Sequence, residues 1–333
     1  MPSKPSSHFD VIAIGESLRD VFYMMHDKNV DMQLDTERNF LCFEYAEKIP
    51  VKYVVKVPAA GNSSNAAVGV SRLGLKSALV SWIGKDDAGL LAQGALEQDA
   101  VDIRFLTVDP KYPTSEATII NFLNERTQLV YFQPREYKLP TLPSARCIYY
   151  SAMGERHASF DTDLNRYLTD HMHLFFVFQP GTTHVLAGLK KMKPLIARSN
   201  LFILNLDEAH HLLPDGERTM LNLLESFHRL GANTVIITDG NNGAHGYDGK
   251  EHWFMPIIPA KIVEKTGAGD SFATAVTVAH LKGKPLSEAL RWGAINSASV
   301  IGAIGPQAGL LSAKKMNENL KKHTKYKALR IHP

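Results

Sequence analysis

Lys265-Thr266-Gly267-Ala268-Gly269-Asp270-Ser271-Phe272-Ala273 leads straight into the apolar stretch Ala275 to Leu281, so three small residues and one acid stand where a helix opens. Small residues let a backbone approach an anion closely, and their N–H groups add to the positive partial charge of a helix N-terminus. A phosphoryl group fits such a turn. Asp270, held in the same turn, is then positioned to accept a proton from an attacking hydroxyl, the base role in phosphoryl transfer. A Gly-rich helix start capped by an acid is an equal alternative on these residues alone, because short glycine motifs recur by chance.

The chain around this turn reads as layered α/β structure. From Phe9 onward, short β-branched or apolar runs alternate with longer helical patterns, as a parallel sheet with crossover helices requires. Strands are expected at Asp10 to Ile14, Ala78 to Ile83, Cys147 to Tyr150, Leu174 to Phe178, Leu201 to Leu204 and Thr234 to Thr238. A helix from Asn65 to Leu73 is expected after the capping residues Ser63 and Ser64, with an apolar stripe of Ala66, Ala67, Val70 and Leu73 ending at Gly74. Two stretches break the rhythm. One holds the strand patterns Phe40 to Tyr45 and Tyr53 to Val57; the other is a hairpin, Ala117 to Leu123 and Gln128 to Phe132, turned by Asn124 to Thr127. Paired, they would form a small β lid over the carboxyl ends of the main strands, where open α/β sheets place ligands. A further hairpin joins Ala244 to Tyr247 with Trp253 and Phe254 through Asp248-Gly249.

Composition narrows the function classes. The 333 residues carry a formal net charge of +3 and 44% hydrophobic residues, so nothing demands a polyanionic partner. Lysines gather near the end, from Lys314 to Lys327, without aromatic interleaving beyond Tyr326, which favours a solvated helix and tail over nucleic-acid binding. Cys42 and Cys147 stand far apart in apolar surroundings and suit reduced thiols, hence a cytoplasmic setting. The run Val11 to Ile14 is too short for a signal-peptide core or membrane span, so no membrane partner is expected.

Several further motifs fall in a recognisable order. Gly267-Ala268-Gly269-Asp270 is similar to the C-terminal signature of the ribokinase or PfkB-type carbohydrate kinase family, and Ala60-Gly61-Asn62-Ser63-Ser64-Asn65, continuing through Arg72-Leu73-Gly74 to Gly84, is similar to its N-terminal one. Gly15-Glu16-Ser17-Leu18-Arg19-Asp20, Gly84-Lys85-Asp86-Asp87-Ala88-Gly89, Asn205-Leu206-Asp207-Glu208 and Thr238-Asp239-Gly240 with Gly243-Ala244 resemble other family elements. The resemblance spans Phe9 to Gly309. It implies a ribokinase-like three-layer α/β/α sandwich with a mostly parallel central sheet, its α/β domain drawn from 9–20, 59–110 and 133–312, a discontinuous β lid from 21–58 and 111–132, and terminal segments 1–8 and 313–333. It implies an ATP- and Mg²⁺-dependent kinase acting on a hydroxyl of a small sugar or related polyol, with Asp270 as base and Gly267, Ala268 and Gly269 as the anion hole. Asp20, Gly61 and Asn65 would hold substrate hydroxyls. A carboxylate accepts two hydroxyl hydrogen bonds and an amide both donates and accepts, which suits a vicinal diol. Thr238, Gly240, Gly243 and Asn296 would contact the nucleotide, and Asn205 and Glu208 would act through waters on Mg²⁺; a helix cap followed by an acid is the alternative for that pair.

This sequence departs from the family pattern in places that bear on specificity. Where relatives have Asp-Thr-Thr before the Gly-Ala-Gly-Asp, this chain has Glu264-Lys265-Thr266. Glu264 could still ligate a monovalent cation, but the ammonium of Lys265 offers positive charge in its place, so turnover is expected to need little or no K⁺. Asn62 stands where ribokinases often have Lys, which weakens a specific claim for ribose. A sugar phosphate would need a basic clamp, for which Arg72, Arg104 and Arg135 are candidates. A nucleoside would need a slot, for which the lid offers Phe40, Phe43 and Tyr45. His171, His173, His210 and His211 lack the spacing and third ligand of a metal site. The class-level rival is a silent sugar- or nucleotide-binding sensor. Exposed lid edges also admit a homodimer through the lid.

Overall fold

A computed structural model of the chain describes residues 8–26, 31–34, 39–214 and 219–332. Its strands in chain order are β1 (Phe9–Ile14), β2 (Leu18–Met25), β3 (Asp31–Leu34), β4 (Asn39–Cys42), β5 (Val51–Ala60), β6 (Ser77–Gly84), β7 (Leu106–Asp109), β8 (Ser115–Phe122), β9 (Glu125–Tyr131), β10 (Ala145–Tyr150), β11 (Phe175–Phe178), β12 (Leu201–Asn205), β13 (Thr234–Thr238), β14 (Ala244–Tyr247), β15 (His252–Met255) and β16 (Leu329–Ile331). The helices are α1 (Asn62–Arg72), α2 (Asp87–Gln98), α3 (Ala158–Asp170), α4 (Thr182–Ala187), α5 (Leu189–Arg198), α6 (Leu206–Leu212), α7 (Met220–Arg229), α8 (Ala268–Leu281), α9 (Leu286–Val300) and α10 (Ala313–Lys322).

Ten strands form the central sheet in the order β16-β15-β14-β13-β12-β11-β10-β1-β6-β7. From β7 to β13 neighbouring strands run parallel, and β14, β15 and β16 add an antiparallel edge. Alternation along each strand divides the core in two, since successive side chains leave opposite faces. Val11, Ala13, Tyr149 and Ile236 pack with Val70 of α1, Val276 of α8 and Leu290 of α9. Ile12, Ile14, Ile148 and Phe202 pack on the other face with Phe160 of α3, Ile196 of α5 and Phe227 of α7. The result is the expected α/β/α sandwich.

A second sheet, ordered β5-β2-β8-β9, stands apart from the first, and β3 pairs with β4 as a separate hairpin. It draws on the stretches that broke the βα rhythm, but β2 begins at Leu18, so Asp20 rides on this outer sheet rather than at the end of a central strand. Beneath it, Glu16 is fully buried and accepts hydrogen bonds from the Ser115 hydroxyl, the Tyr137 hydroxyl and Arg135, fastening the β1–β2 bend to β8. The hairpin turns at Leu123 and Asn124, both at positive φ, instead of over Asn124 to Thr127. Helix α1 starts at Asn62, three residues before the expected position, with Gly61 as its N-cap at φ 95°. Ser63 and Ser64 lie buried in its first turn. Only glycine fits at 61, because a Cβ there would stand 2.7 Å from the Glu16 carbonyl oxygen. The terminal segment is less free than its lysines suggested: α10 packs Met316 into the core, and β16 pairs antiparallel with β15. Among the described residues no helix is long and apolar enough to cross a membrane.

Candidate active site

A cavity of about 880 Å³ opens between the two sheets. Its floor is made by loops that leave the carboxyl ends of the central strands: Ala152 after β10, Gln179 after β11, Asn205 ending β12 and Thr238 ending β13. Its roof is the outer sheet, with Leu18 and Asp20 of β2, Ala117 of β8, and Arg126, Gln128 and Val130 at alternate positions of β9. The helix starts of α1 and α8 meet between them.

Gly267 caps α8 in the left-handed region at φ 79°, where a Cβ would press 2.4 Å from Pro306 Cβ. Gly269 in the first turn has open space around the position of a Cβ. Asp270 follows, 9% exposed, and its carboxylate accepts from three side-chain amides: Asn62 Nδ2 at 2.8 Å, Asn65 Nδ2 at 2.8 Å and Gln179 Nε2 at 3.1 Å. Asn62 and Asn65 share one face of α1 because residues three apart on a helix are neighbours. Gln307 donates to Asn65 Oδ1 at 3.0 Å, which leaves the Asn65 NH₂ for Asp270. The Tyr149 hydroxyl donates to Gln179 Oε1 and fixes that amide in the same way.

Three acids share this space, and their environments separate them. Burial lifts the Asp270 pKa, while the three amides and the charge of Arg126 draw it back. Burial, together with the charges of Asp270 and Glu264, pushes Asp20 up to about 8 against the opposing pull of Arg126. Burial raises Glu208 to about 7, helped by Asp270 and Asp207.

Asp270, Gly267, Gly269, Asp20, Gly61, Asn65, Asn205, Glu208 and Thr238 all line the one cavity. Ala268 stands between the two lining glycines. Asn205 and Glu208 make a capping box: Asn205 Oδ1 accepts from the Glu208 N–H at 2.8 Å, and Glu208 Oε2 from the Asn205 N–H at 2.9 Å. The capping alternative is therefore realised, with Glu208 also on the cavity wall. Gly240 and Gly243 bound the turn after Thr238; at 243 a Cβ would meet the Met255 carbonyl oxygen at 2.4 Å, which accounts for that glycine by packing. Asn296 does not reach the cavity. It has no exposed surface, donates to the Ser271 carbonyl at 2.8 Å and accepts from the Leu311 N–H at 3.1 Å, so both ends of its amide join α8 and α9 to the following loop.

Glu264 is fully buried below the turn. Its Oε1 accepts from the Thr266 N–H at 2.8 Å and the Thr266 hydroxyl at 2.6 Å, whereas Oε2 has no partner among the described residues. Lys265 does not supply the missing charge, because its ammonium reaches across to Glu125 on the hairpin of the outer sheet. An orphaned, buried carboxylate oxygen is the environment a bound cation relieves.

The three arginines considered for a phosphate clamp are engaged elsewhere. Arg135 is 1% exposed and holds Glu16 and Asp109, Arg72 holds Asp99, and Arg104 holds Asp102. Arg126 and Arg156 line the cavity instead. Phe40, Phe43 and Tyr45 are exposed and form none of its wall; Tyr131 and Phe132 do. Asn62 carried a signal, three residues before Asn65. Gln179 carried only its position at a strand end before Pro180-Gly181.

Beneath the loop 179–183 lies a buried polar group that sequence spacing does not gather. His157, Asp161 and His184 offer ligand atoms within 4.8 Å of one another. His184 Nδ1 accepts the Gly181 N–H at 3.3 Å, so its proton sits on Nε2, which faces the Tyr150 hydroxyl at 3.1 Å. That tautomer is wrong for a metal on Nε2. Burial would raise Asp161, but its bonds to His157 and His184 outweigh this and hold it well below the usual carboxylate range. The group acts as a hydrogen-bonded prop for the cavity floor.

The pfkB family carbohydrate kinase model matches residues 25–313 of the chain. An ATP-dependent 6-phosphofructokinase of Thermoanaerobacterium thermosaccharolyticum is 24% identical over 314 residues, with 89% of each chain covered. The structure of a nucleoside kinase of Methanocaldococcus jannaschii, described as an archaeal member of the ribokinase family, superposes with a TM-score of 0.75 at 22% identity, covering 94% of this chain and 98% of that one. Arabidopsis thaliana ribokinase complexed with ribose and ATP superposes with a TM-score of 0.75 at 19% identity, covering 94% and 99%. The fold is ribokinase-like.

Proposed function

The chain belongs to the pfkB family of carbohydrate kinases, phosphotransferases with an alcohol acceptor, and from that premise we propose that it moves the γ-phosphoryl group of ATP onto a hydroxyl of a small sugar or nucleoside with Asp270 as general base. One observation carries this reading: a buried carboxylate in the first turn of α8, beside Gly267 and Gly269, held by three amides inside the cavity. The amides stabilise the ionised form that a base needs, and the backbone N–H groups of the turn stabilise negative charge on a phosphoryl group next to it. In the transfer, the acceptor oxygen bonds to phosphorus as the bond to the leaving β-phosphate oxygen breaks, and the acceptor proton passes to Asp270. Asp20, Asn65 and the backbone at Gly61 hold the acceptor's hydroxyls, and Asn62 and Gln179 join them.

Thr238 lies on the nucleotide side. Asn205 and Glu208 are the residues to hold Mg²⁺ through water, and the ion, when bound, neutralises charge on the nucleotide phosphates. Glu264 is the residue for a monovalent cation, which its orphaned oxygen favours over the K⁺-independent alternative. The outer sheet serves as a lid whose closure excludes water. The test is an ADP-release assay over sugars, sugar phosphates, sugar acids and nucleosides, with Asp270→Asn as the partner variant. Its turnover is expected to fall by about two to four powers of ten with little change in acceptor KM. Near-normal turnover in that variant rejects the base assignment, and tight binding of one compound with no ADP release from any points to the sensor.

A further inference from the structure

Among the described residues most arginines are neutralised by carboxylates. Arg19, Arg72, Arg104, Arg135, Arg146 and Arg291 each hold an acid. Arg126 holds none: among the described residues its side chain forms no ion pair and no hydrogen bond, yet it lines the cavity. Arg156, the other arginine on the cavity wall, donates to the Pro134 carbonyl at 3.2 Å at the root of the hairpin. Arg126 stands at the opposite end of β9, next to the turn at Leu123 and Asn124.

Its position is set by the neighbouring residue. Adjacent strand residues point to opposite faces, and Glu125 uses its side to bind Lys265, which immediately precedes Thr266 and Gly267 of the anion-binding turn. With the hairpin tip docked on that turn, Arg126 projects into the cavity from the other face. It lines the same cavity wall as Asp20 and Asp270, and its charge is felt by both acids.

Resting on the kinase reading above, we propose that Arg126 is a catalytic residue that the lid delivers to the transferring phosphoryl group, with the Lys265–Glu125 pair as the latch that docks it. Charge spreads over the equatorial oxygens of the phosphoryl group as the bond to the leaving oxygen breaks, and a guanidinium beside it stabilises that distribution. No further reactant is needed, because the acceptor proton still leaves to Asp270. Closure and catalysis become one event. An open lid withdraws the cation, so ATP bound without an acceptor is not hydrolysed.

The experiment uses the full chain and the variants Arg126→Gln, Arg126→Lys and Arg126→Ala. With whichever acceptor the ADP-release screen yields, Arg126→Gln is expected to lower kcat about a hundredfold or more while acceptor and ATP KM stay within about threefold and the melting temperature is unchanged. Guanidinium ion added to Arg126→Ala should restore part of kcat, which a merely structural role would not permit. With that acceptor present to close the lid, calorimetry with ADP and aluminium fluoride, a mimic of the transferring group, should give tighter binding than ADP without the fluoride in wild type and no such difference in Arg126→Gln. A rise in KM confined to phosphorylated or carboxylated acceptors, with kcat intact, would assign Arg126 to substrate recognition and overturn the proposal. Equal affinity of wild type for ADP with and without aluminium fluoride in the presence of the acceptor also overturns it. Loss of turnover in Asp270→Asn with none in Arg126→Gln sinks this inference alone, and the reverse sinks only the base assignment.

Discussion

Three amides converge on the Asp270 carboxylate, and two of them are themselves aimed: Gln307 orients Asn65, and the Tyr149 hydroxyl orients Gln179. The Asp270 carboxylate is thus held in one position by residues drawn from α1, β10, the loop after β11 and the loop after α9. Because Gln179 favours the ionised form, Gln179→Leu should raise the Asp270 pKa. A base works only when ionised, so the acid limb of kcat/KM should move to higher pH in that variant. An acid limb that stays in place while activity falls would mean that Gln179 positions substrate rather than the carboxylate. The place of Asp270 in the first turn of a helix was legible in the sequence, because small residues and an acid ahead of an apolar run mark a helix start. Gln179 and Arg126 were not, since a lone amide or guanidinium carries no local pattern and gains its meaning from elements far away in the chain. Asn296, expected at the nucleotide, is instead turned into the core by two backbone partners.

Elements failed to be read where their chemistry runs against habit. The β8–β9 hairpin closes on Leu123 and Asn124, at φ 50° and 65°, a two-residue turn whose backbone favours Asn-Gly. Leucine is a poor resident of the left-handed region, so the sequence points to the polar residues after it. The double substitution Leu123→Asn with Asn124→Gly should stabilise the protein by about 1 kcal/mol, because Leu123 is 59% exposed and loses little packing. Thermal unfolding checks this, and a lower melting temperature would mean that the strained turn is compensated by contacts of the leucine. The start of α1 was misplaced for a related reason: serines advertise a cap, but the cap is a glycine forced by the Glu16 carbonyl.

At the scale of the molecule, the central parallel strands were legible because they are buried on both faces and read as continuous apolar runs. The short exposed edges, β7 and β16, were not, and neither was the continuation of β1 into β2 that lifts Asp20 onto the roof. That continuation has a thermodynamic consequence. Asp20 is 5% exposed and its pKa is pushed up to about 8 by burial and by its acidic neighbours, against about 3.9 in an unfolded chain. The folded state therefore holds a proton that the unfolded state releases, so this contribution to stability is fully present below about pH 4 and is lost as pH rises through about 8. Without ligands, wild type should lose melting temperature between about pH 5 and 8 relative to Asp20→Asn, which cannot titrate there. Parallel curves for the two proteins would mean that Asp20 stays ionised in the cavity, and that Arg126 outweighs burial and the neighbouring acids.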